Sequence, residues 1–294
     1  MHIHEIHPPR NTTCSSWADM WKEKKTAHLL SIDIDHEGDF WLQPDNVERY
    51  LRNARGQYGQ VVRQQLRAMI IPPNARVLDI GSGPGTLAVP LAKQGCSVTI
   101  VEQAPLMCAA CEGYRLSEGA DPITIINTRW EDIITDELKG PFDLVIASFS
   151  LTMEDLPGAI KTIQKVASGR VYLFWFLTPP AWAEVMGDLW QSLHNRPYCP
   201  TPLADCLWNV LYEMGIYANI EVMNPAPPHR YESAEEAAGQ FFGRLECREE
   251  WQKERVLTYF RERLIPSEQG GYLFGGGSRN AKVWWDSVPD SDGN

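Results

Sequence analysis

The chain contains no run of about 18 apolar residues, so no helix long enough to span a bilayer is expected. Its start, MHIHEIHPPRNTT, lacks the apolar segment of a secretory signal, which leaves the cytoplasm as the expected compartment. Positive charge is in deficit: 27 Lys and Arg against 38 Asp and Glu give a net charge of −11. A protein that works mainly by neutralising nucleic-acid phosphates needs the opposite balance, so nucleic acid is not the expected partner. Seven cysteines cannot all pair, and 294 residues need no disulfide staple, so reduced thiols are expected. Cys108 and Cys111 form a C-x-x-C with no second pair to accompany it, and Cys199 and Cys206 are too widely spaced for a tight metal pair. Packing is the simpler reading of that pair, and no metal site is expected. The terminal His2, His4 and His7 are read as a solvated tail, because a chain end is a poor place for an ordered site. Repeats and linker-like low-complexity runs are also missing.

What is present is a core. The 44% hydrophobic content supports a well-buried fold, and the length suits one large domain or a core with an added cap. The most informative stretch is Ala75 to Gln103. Val77 to Ile80 is a short strand-forming run that stops in Gly81-Ser82-Gly83-Pro84-Gly85. A helical pattern runs from Thr86 to about Lys93, and a second strand, Val98 to Val101, ends at Glu102. Strand, glycine loop, helix, strand and acid are the layout of a nucleotide-binding βαβ unit. Glycines let a ligand approach the backbone, and the first N–H groups of the helix face it.

Which nucleotide is a matter of detail. The dinucleotide fingerprint G-x-G-x-x-G has its third glycine in the helix, where this chain has Thr86. Pro84 removes a donor that a pyrophosphate would use. Asp79 puts a carboxylate at the mouth of the first strand, which suits a cation better than a phosphate. S-adenosylmethionine has a sulfonium and an ammonium and no phosphate, so it is favoured over NAD. Glu102 fits either, since both ligands offer ribose hydroxyls.

Val77 to Thr86, with Glu102 and the later Phe142 to Ser148, resembles the class I S-adenosylmethionine-dependent methyltransferases of the small-molecule type. The matching motifs cover roughly residues 71–176. The resemblance implies an α/β, Rossmann-like, seven-stranded, mostly parallel sheet with one antiparallel edge strand and helices on both faces. It implies S-adenosylmethionine as cofactor and S-adenosylhomocysteine as product. Asp79, Gly81, Ser82, Gly83, Pro84, Gly85, Thr86, Glu102 and Gln103 are the expected cofactor contacts. Asn127 to Asp132 occupies the stretch where this family contacts the adenine, and many relatives have an aspartate where Arg129 stands. Trp130 then either lies against the purine, with Glu131 or Asp132 accepting from its amine, or plugs the helix–sheet seam. Ser148 and Phe149 follow the fourth strand, outside whose carboxyl end open α/β sheets bind ligands; they are read as lip and substrate-side wall. Asp143, at the other end of that strand, is read as structural.

Before the core, residues 1–70 read as a helical cap. Ser15-Ser16 caps a helix carrying Met20 and Trp21, and a longer helix from Asp45 repeats Val47, Leu51, Tyr58, Val61, Val62, Leu66 and Met69. In similar methyltransferases such a cap closes over the cofactor, which makes Trp17, Trp21, Trp41 and Tyr50 candidates. Residues 71–294 read as the cofactor domain, interrupted by helical lid insertions at about 179–207 and 228–270, the first carrying Trp182. The acceptor is expected to be a small molecule; a protein or RNA acceptor, or a binding protein without turnover, are the alternatives. Glu154, Asp155, His194, Tyr198 and His229 are possible bases, none favoured. The N/D-P-P-Y/F signature of enzymes that methylate exocyclic amines of DNA bases is missing. Nothing in the sequence chooses between monomer and homodimer.

Overall fold

The computed structural model describes residues 16–54 and 59–287. The described residues begin with α1 (Trp17–Ile32), whose N-cap Ser16 accepts from the Asp19 N–H at 3.0 Å. Its buried face is Trp21, Lys25, His28 and Leu29, the i, i+4, i+7, i+8 stripe of a packed helix with two basic residues set into it. A 3-10 turn, Glu37–Leu42, leads to α2 (Pro44–Ala54) and α3 (Gly59–Ala68). The long helical pattern from Asp45 to Met69 is thus seen as two segments, with Tyr58 and its neighbours outside the described residues, as are His2, His4 and His7.

The core follows as β1 (Arg76–Ile80), α4 (Ala88–Lys93), β2 (Ser97–Val101), α5 (Pro105–Glu118), β3 (Thr124–Ile126), β4 (Phe142–Ser148), α6 (Leu156–Val166) and β5 (Ala167–Phe176). Ser168 and Gly169 lie within β5, because α6 runs straight into it. Next come α7 (Ala181–His194), α8 (Ala204–Glu213), β6 (Asn219–Val222), β7 (His229–Tyr231), α9 (Ala234–Phe242), α10 (Glu250–Arg263), β8 (Ile265–Pro266), β9 (Tyr272–Phe274) and β10 (Asn280–Asp286).

Seven strands form one sheet in the order β3-β2-β1-β4-β5-β10-β6. The pairs from β3 through β5 are parallel, whereas β10 runs antiparallel to both β5 and β6. The reversed strand therefore lies one place in from the edge, with β6 outside it. Successive side chains feed two cores. Leu78, Ile80, Val145, Leu173 and Trp175 pack on one face, while Val77, Leu144, Ile146, Tyr172 and Phe174 pack on the other. Two-sided burial is why these strands read as continuous apolar runs. Each such aliphatic side chain stabilises the fold by about 1.5–3 kcal/mol.

The two segments expected as insertions share a third core. Val185, Met186 and Trp190 of α7 pack with Tyr231, Phe241 and Phe260 from the second insertion and with Phe274 just beyond it. A small sheet, β7-β9-β8, that the sequence pattern did not indicate spans the second insertion and the residues just after it. Its strands are two or three residues long, too short for a period to show. Asp143 sits at the amino end of β4, where Oδ2 accepts from the Arg76 N–H at 2.8 Å, a structural role.

Candidate functional site

The glycine loop leaves β1 at the centre of the sheet, where neighbouring connections diverge to opposite faces and open a crevice. Gly81, Gly83 and Gly85 all have φ between +54° and +77°. The tight positions are the outer two. A Cβ on Gly81 would lie 2.4 Å from Ser150 Cβ, and one on Gly85 would lie 2.5 Å from Cys111 Sγ. Around Gly83 there is open space, so what it spares there is the crevice itself. Pro84 and Gly85 are buried beneath the loop and do not line the crevice, whereas Ser82 and Thr86 do.

Two carboxylates stand at the loop. Glu102 accepts from Gly83 N–H through Oε2 and from Ala104 N–H through Oε1, both at 2.8 Å. Burial raises its pKa, and those backbone donors oppose the shift. Asp79 is 1% exposed, and neither of its oxygens has a partner among the described residues. Burial, with Glu102 nearby, pushes its pKa up to about 7. A buried carboxylate with both oxygens orphaned is costly and marks a place for a cation.

Both acids open into a cavity of about 640 Å³. Gln103, Trp130, Glu131, Ser148 and Phe149 line it too, and so do Tyr50 from α2 and Trp182 from α7. Trp130 reaches the cavity while plugging the seam, since its Nε1–H donates to Ala159 O in α6 at 3.3 Å. Ser148 Oγ accepts from the buried Gln65 amide at 2.9 Å. Phe149, in left-handed backbone at φ 56°, stacks on Phe176 with ring centres 4.8 Å apart. Trp182 lies edge-on to Phe176.

The candidate Trp17 lies elsewhere: its backbone N–H donates to Glu213 at 2.8 Å, and its ring packs behind the sheet. Trp21 is likewise withdrawn, its Nε1–H donating to Met153 O at 2.9 Å. Of the possible bases, His229 lines the cavity, and burial lowers its pKa, keeping it neutral. His194 instead bonds Leu245 O, Asp155 caps α6, and Glu154 accepts from Thr26. Cys111 fills the space under Gly85, and burial pushes its thiol up to about 12.

The turn at Glu37–Leu42 supplies cavity residues that sequence reasoning missed. Gly38 packs so closely on Gln103 that a Cβ there would overlap its side-chain amide. Asp39 pairs with Arg129 at 2.8 Å, and His36 with Glu131 at 3.2 Å. Glu37 lines the cavity and holds the fully buried Lys25, whose Nζ also lies over the rings of Trp21 and Trp175. Lys25 and the His28 imidazole depress the Glu37 carboxylate against its burial. Positions 36–39 follow no period, so no local signal in the sequence marks them. Arg129 is the one hint, a base where an acid was expected.

Residues 77–168 match a family model described as a methyltransferase domain. An uncharacterized protein of Haemophilus influenzae is 27% identical over 234 residues, covering 79% of this chain and 84% of that one. Among solved structures, magnesium protoporphyrin IX methyltransferase from Synechocystis PCC 6803, with bound S-adenosylhomocysteine, superposes with a TM-score of 0.52. It is 15% identical, and the match covers 84% of this chain and 96% of that one. A cyclopropane-fatty-acyl-phospholipid synthase-like protein from Lactobacillus casei gives a TM-score of 0.51 at 19% identity, covering 79% and 93%.

Proposed function

From the premise that the chain belongs to the class I S-adenosylmethionine-dependent methyltransferase superfamily, we propose that it methylates a small-molecule acceptor bound beside the cofactor in the 640 Å³ cavity. The observation that carries the reading is Asp79, a buried carboxylate whose two orphaned oxygens face a cavity roofed by cap and lid. The residues fit the cofactor's chemistry. Asp79 would receive the ammonium of its methionine end. The Glu102 oxygens, each bonded to one backbone N–H, keep lone pairs for the ribose hydroxyls. Gly83 leaves the room, and Trp130 with Glu131 bounds the adenine end. When bound, S-adenosylmethionine supplies an electrophilic methyl on a sulfonium, and the displacement releases a neutral thioether.

The protein's part is to hold the acceptor in line and keep water out, and such positioning lowers a barrier by up to ~7–11 kcal/mol. Phe149, Phe176 and Trp182 form the apolar wall beside the end of β4. If the acceptor must lose a proton, the neutral His229 imidazole is the group placed to take it. Enclosure by α2, α7 and the segment after α9 supports a small acceptor over a polymer.

The test is calorimetry with S-adenosylhomocysteine, followed by incubation of the protein and labelled S-adenosylmethionine with fractionated cell extract. Label is expected in the low-molecular-weight fraction. Label in protein or RNA instead would overturn the small-molecule reading, and failure to bind S-adenosylhomocysteine would overturn the whole assignment.

A further inference from the structure

One imidazole on the cavity wall has a polar atom to spare. His28 lies on the buried face of α1, one turn after Lys25, and is only 3% exposed, yet it lines the cavity. Its Nδ1 is 2.7 Å from Cys199 O, in the segment between α7 and α8. A carbonyl only accepts, so Nδ1 carries the proton and donates, and Nε2 of the neutral ring is a lone-pair acceptor. No described residue hydrogen-bonds to Nε2. The Tyr198 ring stands edge-on to the imidazole with ring centres 5.7 Å apart, but its buried hydroxyl has no partner and so does not satisfy Nε2. Cys199 does not line the cavity, so the imidazole meets the cavity on its other side, the Nε2 side.

The wall around it is apolar. Ile32 follows one turn on along α1, and Trp190 of α7 lies against that turn, its Nε1–H donating to Ser31 O at 3.0 Å. Met186, one turn before Trp190, continues the lining. Burial lowers the His28 pKa, and Lys25 and Arg244 add to that, while Glu37 and the Cys199 carbonyl oppose it. The ring is therefore neutral, and two cations nearby make an ammonium an unfavourable guest. A wholly apolar ligand against this wall would strip water from Nε2 and leave it unpaired. A ligand with an O–H or N–H at that point would satisfy it.

Resting on the methyltransferase reading, we propose that the acceptor is a largely apolar small molecule with a neutral O–H or N–H, and that His28 Nε2 accepts a hydrogen bond from that group. The bond is directional, so it fixes how the acceptor lies against Ile32, Met186 and Trp190. The Lys25–Glu37 pair holds α1 to the turn at Glu37–Leu42, and the Cys199 carbonyl holds the ring's other nitrogen, so the acceptor atom is fixed before any ligand arrives.

The experiment uses the full chain saturated with S-adenosylhomocysteine and near-isosteric pairs that differ in a donor: phenol and fluorobenzene, indole and benzofuran, 2-naphthol and 2-fluoronaphthalene. Calorimetry is expected to show at least one donor-bearing probe binding about tenfold or more tightly than its counterpart. In that complex the nitrogen NMR resonance of His28 Nε2 should move as it gains a hydrogen bond, while Nδ1 stays protonated. His28→Asn keeps a donor near Nδ1 but has no atom at Nε2, and should erase the preference. His28→Gln reaches the Nε2 position with its amide and should retain part of it. Neither should alter S-adenosylhomocysteine affinity, which also reports that each variant is folded; the resonance is read on the wild-type protein, so the test stands even where a variant melts early. Equal responses in every pair, including none at all, would overturn the inference. So would a preference that survives His28→Asn, or one that comes without a shift at Nε2. A normally melting His28→Asn that loses S-adenosylhomocysteine affinity would reassign the imidazole to the cofactor and overturn it too. If the wild-type protein binds no S-adenosylhomocysteine, the parent reading fails and takes this one with it; binding without donor preference defeats this one alone.

Discussion

The two ends of the cavity are built by different means. The glycine-loop end comes from consecutive residues, 79–86 and 102–103, on two adjacent parallel strands, and its shape is set by backbone angles and backbone N–H groups. The far end is assembled from side chains of α2, the turn at Glu37–Leu42, α7 and the segment after α9, held by ion pairs and ring contacts. One end is local in sequence and the other is not. A substitution at the first end should therefore act on cofactor affinity, and one at the second on cap and lid stability or acceptor choice.

The largest effect should come from Lys25→Ala. It leaves Glu37 without the charge that stabilises it in a mostly buried setting, and breaking such a pair costs about 3–5 kcal/mol. Chemical denaturation is expected to show that loss, while Lys25→Met with Glu37→Gln recovers most of it. No recovery in that double variant would show that the pair does not hold the cap.

Asp79→Asn separates the two ends most cleanly. Loss of the carboxylate should weaken S-adenosylhomocysteine binding by about a hundredfold, roughly 2.7 kcal/mol, yet raise the melting temperature of the ligand-free protein at pH 8. The sign follows from linkage. A carboxyl whose pKa rises from 3.8 to about 7 on folding takes up a proton between those values. Its contribution to stability falls as pH climbs through that window and is flat above it. Affinity runs the other way, since only the ionised form pairs with an ammonium, so binding should strengthen from pH 6 to pH 8. A pH-independent affinity would remove Asp79 from the cofactor site.

At Gly83 a valine side chain would project into the crevice, so Gly83→Val should lower cofactor affinity at least tenfold while the thermal transition moves little. Gly85→Val should instead destabilise the fold, because Cys111 already occupies the space. Identical melting temperatures for the two would blur the distinction drawn between them. The smallest effect belongs to the Asp39–Arg129 pair, whose partners are both more than a third exposed; a double-mutant cycle should give less than about 1 kcal/mol of coupling.

How much of this was legible depends on range. The strand–loop–helix–strand unit, the acid ending β2 and the succession of later strands and helices could be read directly, because each follows a short period or a residue with one conformational task. Even there, the crowding at Gly81 and Gly85 could not be read, because their neighbours Ser150 and Cys111 arrive from the segment after β4 and from α5. Trp17 and Trp21 were candidates as aromatics of a cap helix, but only the packed structure shows that α1 turns them toward the sheet and α8. Arg129 reads as a departure from pattern until Asp39 is seen against it.

By itself, then, the sequence determined the α/β core and the loop for a cationic nucleotide ligand, since glycine φ angles, strand periodicity and a carboxylate at a strand end are properties of neighbouring residues. Only the tertiary structure decided that Asp79 stands without a partner among the described residues, that the turn at Glu37–Leu42 closes the cavity, and that Arg49 ties α2 to α9. Those are burial and proximity between segments nearly 200 residues apart, which no local pattern encodes.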